Sequence, residues 1–385
     1  MIKPSTIAVF EHEMRKYAAE LREIGLVIDR EPERINEFTN LESIRTINRM
    51  MIPPEYGGEP IVTVGQERYY GISCLERVIA IEQLSAGDAG VFLGSPGPSM
   101  SSVIISALAD PQQKERYYSH FLKGTAWSFF ALTEPEKGSD ATEIGTRISR
   151  NGEGRLELNG QKFYIGNGHR ASIGLVFAQT NRTPLGIQIA LVDKSISGFT
   201  AKPLDTMGVR GVQLSHLTFD ACQLEEHDII GRHLSPTKRG LWGALQTFHR
   251  MRPGVAALAL GVAQAAFDYV REQRSFFKER EKLELEQIEM RLHALRSMIR
   301  SAAAEIDADV QKGYLASLSK IRAGALAEEA TELALDLMGP GSMHEHPLLN
   351  KWYRDARAFE FMEGTTSIQK INVFQAYANG KMKHA

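Results

Sequence analysis

At 385 residues, with 43% hydrophobic and 24% charged side chains, the chain has an ordinary globular composition and enough length for two or three structural units. A formal net charge of -2 gives no global attraction to nucleic acid or to an anionic membrane. Two cysteines, Cys74 and Cys222, exclude a disulfide framework and offer no zinc-site spacing. Met1 to Phe10 shows no basic region leading into an apolar core, and no apolar run approaches the roughly 18 residues that span a bilayer. The expectation is a cytoplasmic protein without a membrane span.

Residues 1–125 are helical in pattern. Phe10, Met14, Ala18, Leu21 and Ile24 recur at helical spacing. Pro53 to Gly58 breaks the pattern, and Arg68 to Leu84 resumes it with Tyr69, Ile72, Leu75, Val78 and Ile79 largely on one side. Gly94 to Pro98 breaks again. Two shorter helices follow, Val103 to Leu108 and Gln112 to Leu122, joined where Asp110 suits an N-cap and Pro111 the first helical position.

From Ala126 the period changes. Trp127 to Leu132 is a short apolar run, and Arg155 to Lys162 reads as a strand with a turn at Asn159-Gly160. Ile173 to Ala178, Ile187 to Val192 and Leu214 to Phe219 read as further strands, so residues 126–235 suit a compact β unit. Over 236–385 the helical period returns. Val255 to Val270 is rich in Ala and Gly, as a central helix approached closely by others would be, and Pro253 predicts a kink or boundary near its start. Ile288, Leu292, Leu295, Ile299, Ala302 and Ile306 mark a second long helix. A third runs from Tyr314 to Met338 and is ended by Gly339-Pro340-Gly341.

Five stretches carry candidate chemistry. Thr133-Glu134-Pro135 through Gly138-Ser139-Asp140 offers a hydroxyl and unshielded backbone N–H groups, which suit either a capped turn or the polar edge of a heterocycle or phosphate. Tyr164, followed by Gly166-Asn167-Gly168, is either a wall for a planar ligand or a core tyrosine at a hairpin. Arg252 beside Pro253, and Arg274 ahead of Phe277, read as solvated or dipole-placed cations, or as anion ligands. Glu363-Gly364-Thr365-Thr366-Ser367 is either a helix start with Thr365 or Thr366 as N-cap, or a turn that projects a carboxylate into a pocket.

Taken in order, these pieces resemble the acyl-CoA dehydrogenase family. The signature comprises TEP-x-x-GSD (Thr133 to Asp140), a G-Q-K-aromatic-x-x-N-G strand (Gly160 to Gly168) and MG-x-RG (Met207 to Gly211). It continues with Arg252-Pro253, R-x-x-F (Arg274 to Phe277), RDA (Arg354 to Ala356) and EGT (Glu363 to Thr365). The resemblance spans nearly the whole chain. It implies an α+β multidomain fold: an N-terminal helical domain, a middle β-barrel or sandwich domain and a C-terminal four-helix bundle.

It further implies FAD as cofactor and removal of two hydrogens across the α,β bond of an acyl thioester, with Glu363 as the base and hydride passing to the flavin. Phe130, Leu132, Thr133, Gly138, Ser139, Tyr164 and Gly166 match positions beside the flavin ring, and Thr365 and Ser367 match positions near the ribose and diphosphate. Arg274 and Phe277 match residues that reach the FAD of a neighbouring subunit, which implies a homotetramer or homodimer. Arg252, with Ser139 and Gly364, matches the thioester and pantetheine end. The implied partners are an acyl-CoA or acyl-carrier-protein thioester and an electron acceptor, either electron-transfer flavoprotein or oxygen.

The departures from the family pattern are specific. Met251 stands where one subgroup carries its glutamate, so Glu363 is the sole candidate base. Related nitroalkane oxidases have an aspartate at the position of Glu363. Gly166 replaces a Thr or Ser, Asp336 a glutamine, and Gly339-Pro340-Gly341-Ser342 a Gly-Gly-x-Gly turn. The connector Arg232 to Gly240 is longer and more basic than usual, which leaves open a carrier-protein-tethered hydroxyacyl, aminoacyl or acyl substrate in a biosynthetic pathway, a flavin oxidase or monooxygenase, or a flavin-free scaffold.

Overall fold

A computed structural model describes residues 4–136, 138, 143–181, 183 and 185–382. The N-terminal part begins with α1 (Pro4–Arg30), α2 (Glu42–Arg49) and a two-stranded antiparallel ribbon of β1 (Val62–Val64) and β2 (Glu67–Tyr69). It continues with α3 (Cys74–Gly94), α4 (Ser101–Leu108) and α5 (Pro111–Leu122). Phe10, Met14, Ala18, Leu21 and Ile24 all face the core, as their spacing requires. Asp110 caps α5 in a reciprocal box with Gln113, behind Pro111.

The helix expected from Arg68 starts only at Cys74. Ser73 Oγ accepts the Glu76 N–H at 3.2 Å, and the Glu76 carboxylate turns back to take the N–H groups of Tyr70 and Gly71. Gly71 has φ +72°, a left-handed conformation that breaks any helix there. Tyr69 therefore belongs to a strand and Ile72 to an exposed turn.

The middle part is a curled seven-stranded sheet. Its strands are β3 (Ser128–Ala131), β4 (Arg147–Arg150), β5 (Leu156–Ile165), β6 (Ile173–Gln179), β7 (Ile187–Asp193), β8 (Phe199–Pro203) and β9 (Ser215–Leu224). The order is β3-β6-β4-β5-β9-β8, with β7 paired to β6. β3–β6 and β4–β6 are parallel and the other pairs antiparallel. β4 and β8 were not anticipated: both are short and mostly exposed, and neither shows clean alternation.

Asn159-Gly160 is not a hairpin turn. β5 runs through it with a shift of register against β9, and Gly160 has φ +143°. A Cβ at Gly160 would lie 2.6 Å from Thr146 Cα, so the strand passes too close for any other residue.

The C-terminal part is built on α6 (Gly240–Gln273), α7 (Glu279–Ala308) and α8 (Tyr314–Met338), followed by α9 (Ser342–Glu345), α10 (Pro347–Ala356) and α11 (Thr366–Ala378). α6, α7 and α8 pack against one another as the core of a helical bundle, α11 lies on α8, and α6 also packs against α3. α6 runs on through Pro253 rather than stopping there. Proline removes one rung of the helical ladder. Here Arg77 on α3 donates to the nearby Arg250 carbonyl at 2.8 Å, and burial of the Ala-rich face between α3 and α8 outweighs the lost bond. α6 is long and apolar enough to cross a bilayer, but 83% of its most apolar 18-residue window is buried inside the chain.

Candidate active site

The turn between α10 and α11 is conformationally unusual. Glu363 has φ +54° and Gly364 φ +92°, two consecutive left-handed residues. Left-handed backbone costs a non-glycine residue about 1–2 kcal/mol, so the surrounding groups must hold it. Gln369, fully buried on α11, donates Nε2 to the Glu363 carbonyl at 2.8 Å and to the Gly364 carbonyl at 3.2 Å. Its Oε1 accepts from buried Ser317 of α8 at 2.8 Å, which fixes the orientation of the amide. Lys320, one turn along α8 and only 4% exposed, donates to the carbonyls of Glu360 and Gly364.

The Glu363 side chain is half-buried and accepts no hydrogen bond among the described residues. Burial pushes its carboxyl above the ordinary range, and the cations of Arg252 and Lys320 offset part of that shift. Burial in turn lowers the Lys320 ammonium to about 8. Arg252 lies on α6, its Nη1 3.2 Å from His249 Nδ1. Burial, reinforced by Arg252 and Lys381, brings the His249 imidazole down to about 4, so it is neutral at pH 7 and accepts the Arg252 donor. Among the described residues the Glu363 backbone N–H has no acceptor.

The N-cap expectation for Thr365 and Thr366 is corrected in part. Thr365 occupies the N-cap position of α11, but its hydroxyl makes no cap bond. Glu360 does that work, its carboxylate accepting the Thr366 N–H at 2.8 Å and the Thr366 hydroxyl at 2.5 Å. Thr365 is half-buried and Ser367 exposed.

A second group gathers at one edge of the sheet. Phe130 lies in β3, with Leu132 and Thr133 just beyond its end; Tyr164 lies in β5, with Gly166 just beyond. The two strand ends are tied by the Phe163 N–H to the Thr133 carbonyl at 2.9 Å and by Lys162 Nζ to the Leu132 carbonyl at 2.9 Å. Lys162 is fully buried and also donates to Glu134 at 2.8 Å; burial lowers its ammonium to about 8 against the pull of Glu134. Glu134 in turn accepts the Thr146 N–H at 2.9 Å and the Gly145 N–H at 2.6 Å. Tyr164, at φ +59°, leaves its ring 59% exposed at this edge. Gly138 is exposed, and Ser139 lies outside the described residues.

α6 joins the two groups. Phe130 meets Phe248 at 6.2 Å between ring centroids, and Phe248 sits about 6 Å along the helix axis from Arg252. Arg274 and Phe277 do not join them. Arg274 stacks over Phe277, pairs with Glu281 at 2.7 Å and donates to the Leu337 carbonyl at 2.6 Å at the far end of α8.

Two family models match the chain: acyl-CoA dehydrogenase, middle domain, over residues 129–222, and acyl-CoA dehydrogenase, C-terminal domain, over residues 238–378. The human mitochondrial short-chain specific acyl-CoA dehydrogenase is 32% identical over 84% of this chain and 77% of its own length. The chain belongs to the acyl-CoA dehydrogenase family. A 3-(aryl)acrylate reductase of Clostridium sporogenes is 28% identical over 94% of this chain and 97% of its own length. The butyryl-CoA dehydrogenase structure from Megasphaera elsdenii superposes with a TM-score of 0.80 at 27% identity, covering 96% of this chain and 98% of that one.

Membership makes this acyl-CoA dehydrogenase family member an oxidoreductase acting on CH–CH donors, with FAD as cofactor. The sheet edge fits a planar heterocycle. It presents the exposed Tyr164 ring, the half-buried Thr133 and the buried Asn167 Oδ1, which has no partner among the described residues. The sequence reading missed Lys320, Gln369, Ser317 and the Lys162–Glu134 pair. Lys320 does carry a signal: it shares the buried stripe of Ala316, Ala323 and Ala327 on α8, where a lysine needs buried acceptors.

Proposed function

We propose that the protein oxidises an acyl thioester across its α,β bond, with Glu363 as the base. The observation that carries this reading is a half-buried carboxylate with a raised pKa, in a left-handed turn whose own N–H has no acceptor among the described residues. A base for a weakly acidic α-proton gains strength from such burial. The Glu363 carboxylate takes the α-proton, and the electrons of that C–H bond move into the thioester as an enolate. The free Glu363 N–H is available to the developing oxyanion. The positive charges of Arg252 and Lys320 favour the ionised form that a base needs. FAD, when bound, supplies the acceptor for the hydride that leaves Cβ, and the product is an α,β-unsaturated thioester.

Phe130, Leu132, Thr133, Gly138, Tyr164 and Gly166 would hold the flavin ring, and Thr365 and Ser367 the ribose and diphosphate. Arg274 and Phe277 would meet the cofactor of a second subunit. The exposed aromatics Phe361, Phe374 and Tyr377 suit a homo-oligomer. We assign CoA as the acyl carrier. In the basic connector Arg232 is paired with Glu226, so only His233 and Lys238 stand as exposed basic side chains beside it, less positive surface than the sequence suggests.

The experiment is anaerobic mixing of the yellow protein with acyl-CoA and acyl-carrier thioesters while the flavin spectrum is followed. Bleaching by acyl-CoA that is lost in Glu363→Gln, with FAD retained, supports the reading. Unchanged bleaching in E363Q overturns it, and bleaching by carrier-bound thioesters alone overturns the CoA assignment. Re-oxidation by electron-transfer flavoprotein or by oxygen then identifies the acceptor.

One observation favours the opposite direction of the same chemistry. A carboxyl with a raised pKa also serves as an acid, delivering a proton to Cα as an enoyl thioester is reduced. Two relatives are named as reductases, for 3-(aryl)acrylate and for acryloyl-CoA. Re-oxidation of the reduced protein by an enoyl thioester, measured against bleaching by the saturated one, decides which direction dominates.

A further inference from the structure

We infer that Lys320 is a positioning residue for Glu363: one buried ammonium on α8 clamps the carbonyls on both sides of the base and faces its carboxylate with a positive charge. The inference rests on Glu363 being the base. Its evidence is geometric. Lys320 reaches from the second turn of α8 to two carbonyls, Glu360 three residues before Glu363 and Gly364 directly after it. Those contacts bracket the left-handed pair Glu363-Gly364. Gln369 grips the same pair from α11 through the Glu363 and Gly364 carbonyls, so the turn is held between two helices.

A lysine that only filled space would not leave its ammonium among carbonyls of one turn. Desolvating a cation is costly unless its donors are taken up, and here the acceptors all belong to the segment that carries the base. The clamp makes the strained backbone the lowest state, and thereby fixes where the Glu363 carboxylate and N–H point. Misplacing a catalytic group by about 1 Å can cost on the order of 100-fold in rate.

The charge has a separate consequence. The charged groups facing Glu363 are Arg252 on α6 and Lys320 on α8; Glu360 on the same turn faces Lys320, and His249, with Lys381 near it, lies against Arg252. Arg252 and Lys320 both favour ionised Glu363, so losing either raises the pH at which the base becomes active.

The test compares wild type, Lys320→Met, Lys320→Gln, Gln369→Leu and Glu363→Gln as FAD-loaded enzymes, by stopped-flow flavin reduction across pH. K320M is expected to reduce flavin about 10- to 100-fold more slowly, with substrate affinity little changed and the acid limb of its pH profile moved upward. K320Q, which keeps a donor but no charge, is expected to show the same upward limb with a smaller loss of rate. Q369L is expected to lose rate without moving the limb. A flavin-reduction rate within twofold of wild type in K320M and an unmoved limb overturn the inference. Should K320M fail to fold, the same two results in K320Q overturn it. E363Q separates the two failures: if it still reduces flavin the base assignment falls, whereas if it is dead and K320M is normal only the role of Lys320 falls.

Discussion

The Asp355 carboxylate of α10 accepts the Val209 N–H at 2.6 Å, joining the helical bundle to a loop of the middle sheet. Val209 has φ +45°, unusual for a β-branched residue, and Gln213 at φ +42° closes the same loop. Asp355 is fully buried and also receives Lys351 Nζ at 2.6 Å; Lys351 reaches Asp88 at 2.9 Å on the other side. Asp88 sits at the non-helical break within α3. Beside it, Arg354 makes a two-pronged pair with Asp29 of α1 and donates to the Met207 carbonyl at 2.8 Å. The RDA signature therefore fastens α1, α3, the MGVRG loop and α10 at one place.

The first prediction concerns this junction. Burial alone would lower the Lys351 ammonium, but Asp355 and Asp88 hold it above its usual value, so it is charged at neutral pH. Lys351→Met leaves two buried carboxylates without a counter-ion. It is expected to destabilise by about 3–5 kcal/mol, read as a lowered Tm. Replacing Asp88 and Asp355 by Asn in the same chain should recover part of the loss. A Tm within a degree or two of wild type in K351M would show the triad to be energetically neutral.

A second prediction follows from the raised pKa of Glu363. Its ordinary value is 4.5 and the folded value is higher, so between the two the folded protein binds more protons than the unfolded one. The favourable contribution is present below pH 4.5 and is lost as pH rises through the folded value. Raising the pH from 5 to 8 therefore erodes the stability this group contributes. Glu363→Gln is expected to match wild type in Tm near pH 5 and to exceed it at pH 8, while losing activity. Glu363→Gly should be more stable still, because glycine removes the left-handed strain of about 1–2 kcal/mol. Thermal unfolding of the three proteins at both pH values checks the order.

What was legible beforehand follows physical lines. Helical stripes such as Phe10 to Ile24 on α1 and Ile288 to Ile306 on α7 announce themselves, because one face must be buried along many turns. The EGT and TEP segments were legible as candidates through residue type and order. The start of α3 was not, because Glu76 folds back on Tyr70 and Gly71 and takes donors the periodic pattern assigned to a helix. Pro253 misled because tertiary burial of α6 outweighed a local rule. Lys320 and Gln369 were missed because a polar residue on a buried stripe shows its purpose only when its acceptors, some 40 residues away in Lys320's case, come within reach.

A third prediction addresses Lys162, whose ammonium ties Glu134 to the Leu132 carbonyl at the sheet edge proposed for the flavin. Lys162→Met leaves Glu134 buried without its cation and removes one of the two ties at the end of β3, the Phe163 N–H to the Thr133 carbonyl remaining. FAD retention through gel filtration should fall and the protein should lose about 3–5 kcal/mol of stability. The double variant Glu134→Gln/Lys162→Met removes the uncompensated charge and should recover more stability than FAD retention, since the Leu132 carbonyl stays untethered. Equal FAD content in K162M and wild type would show that the strand end holds its shape without the lysine.

The last prediction concerns Gly166, where the family resemblance leads one to expect a hydroxyl residue. A Cβ at Gly166 would stand 3.1 Å from Val212 Cγ2, closer than relaxed packing allows, and the Asn167 N–H to the Val212 carbonyl at 2.8 Å keeps the two segments from parting. Val212 is buried, so it has little room to yield. The absence of a side chain at Gly166 and the bulk of Val212 are thus one packing solution. Gly166→Thr alone is expected to cost about 1–3 kcal/mol by overpacking, while Gly166→Thr/Val212→Ala should regain most of it. The double variant places a hydroxyl at the proposed flavin edge in a relaxed site, so a change in its rate of reoxidation by oxygen, relative to Val212→Ala alone, isolates what such a hydroxyl does there. If G166T is as stable as wild type, the Gly166–Val212 contact does not limit the site, and the glycine answers to the flavin rather than to its neighbour.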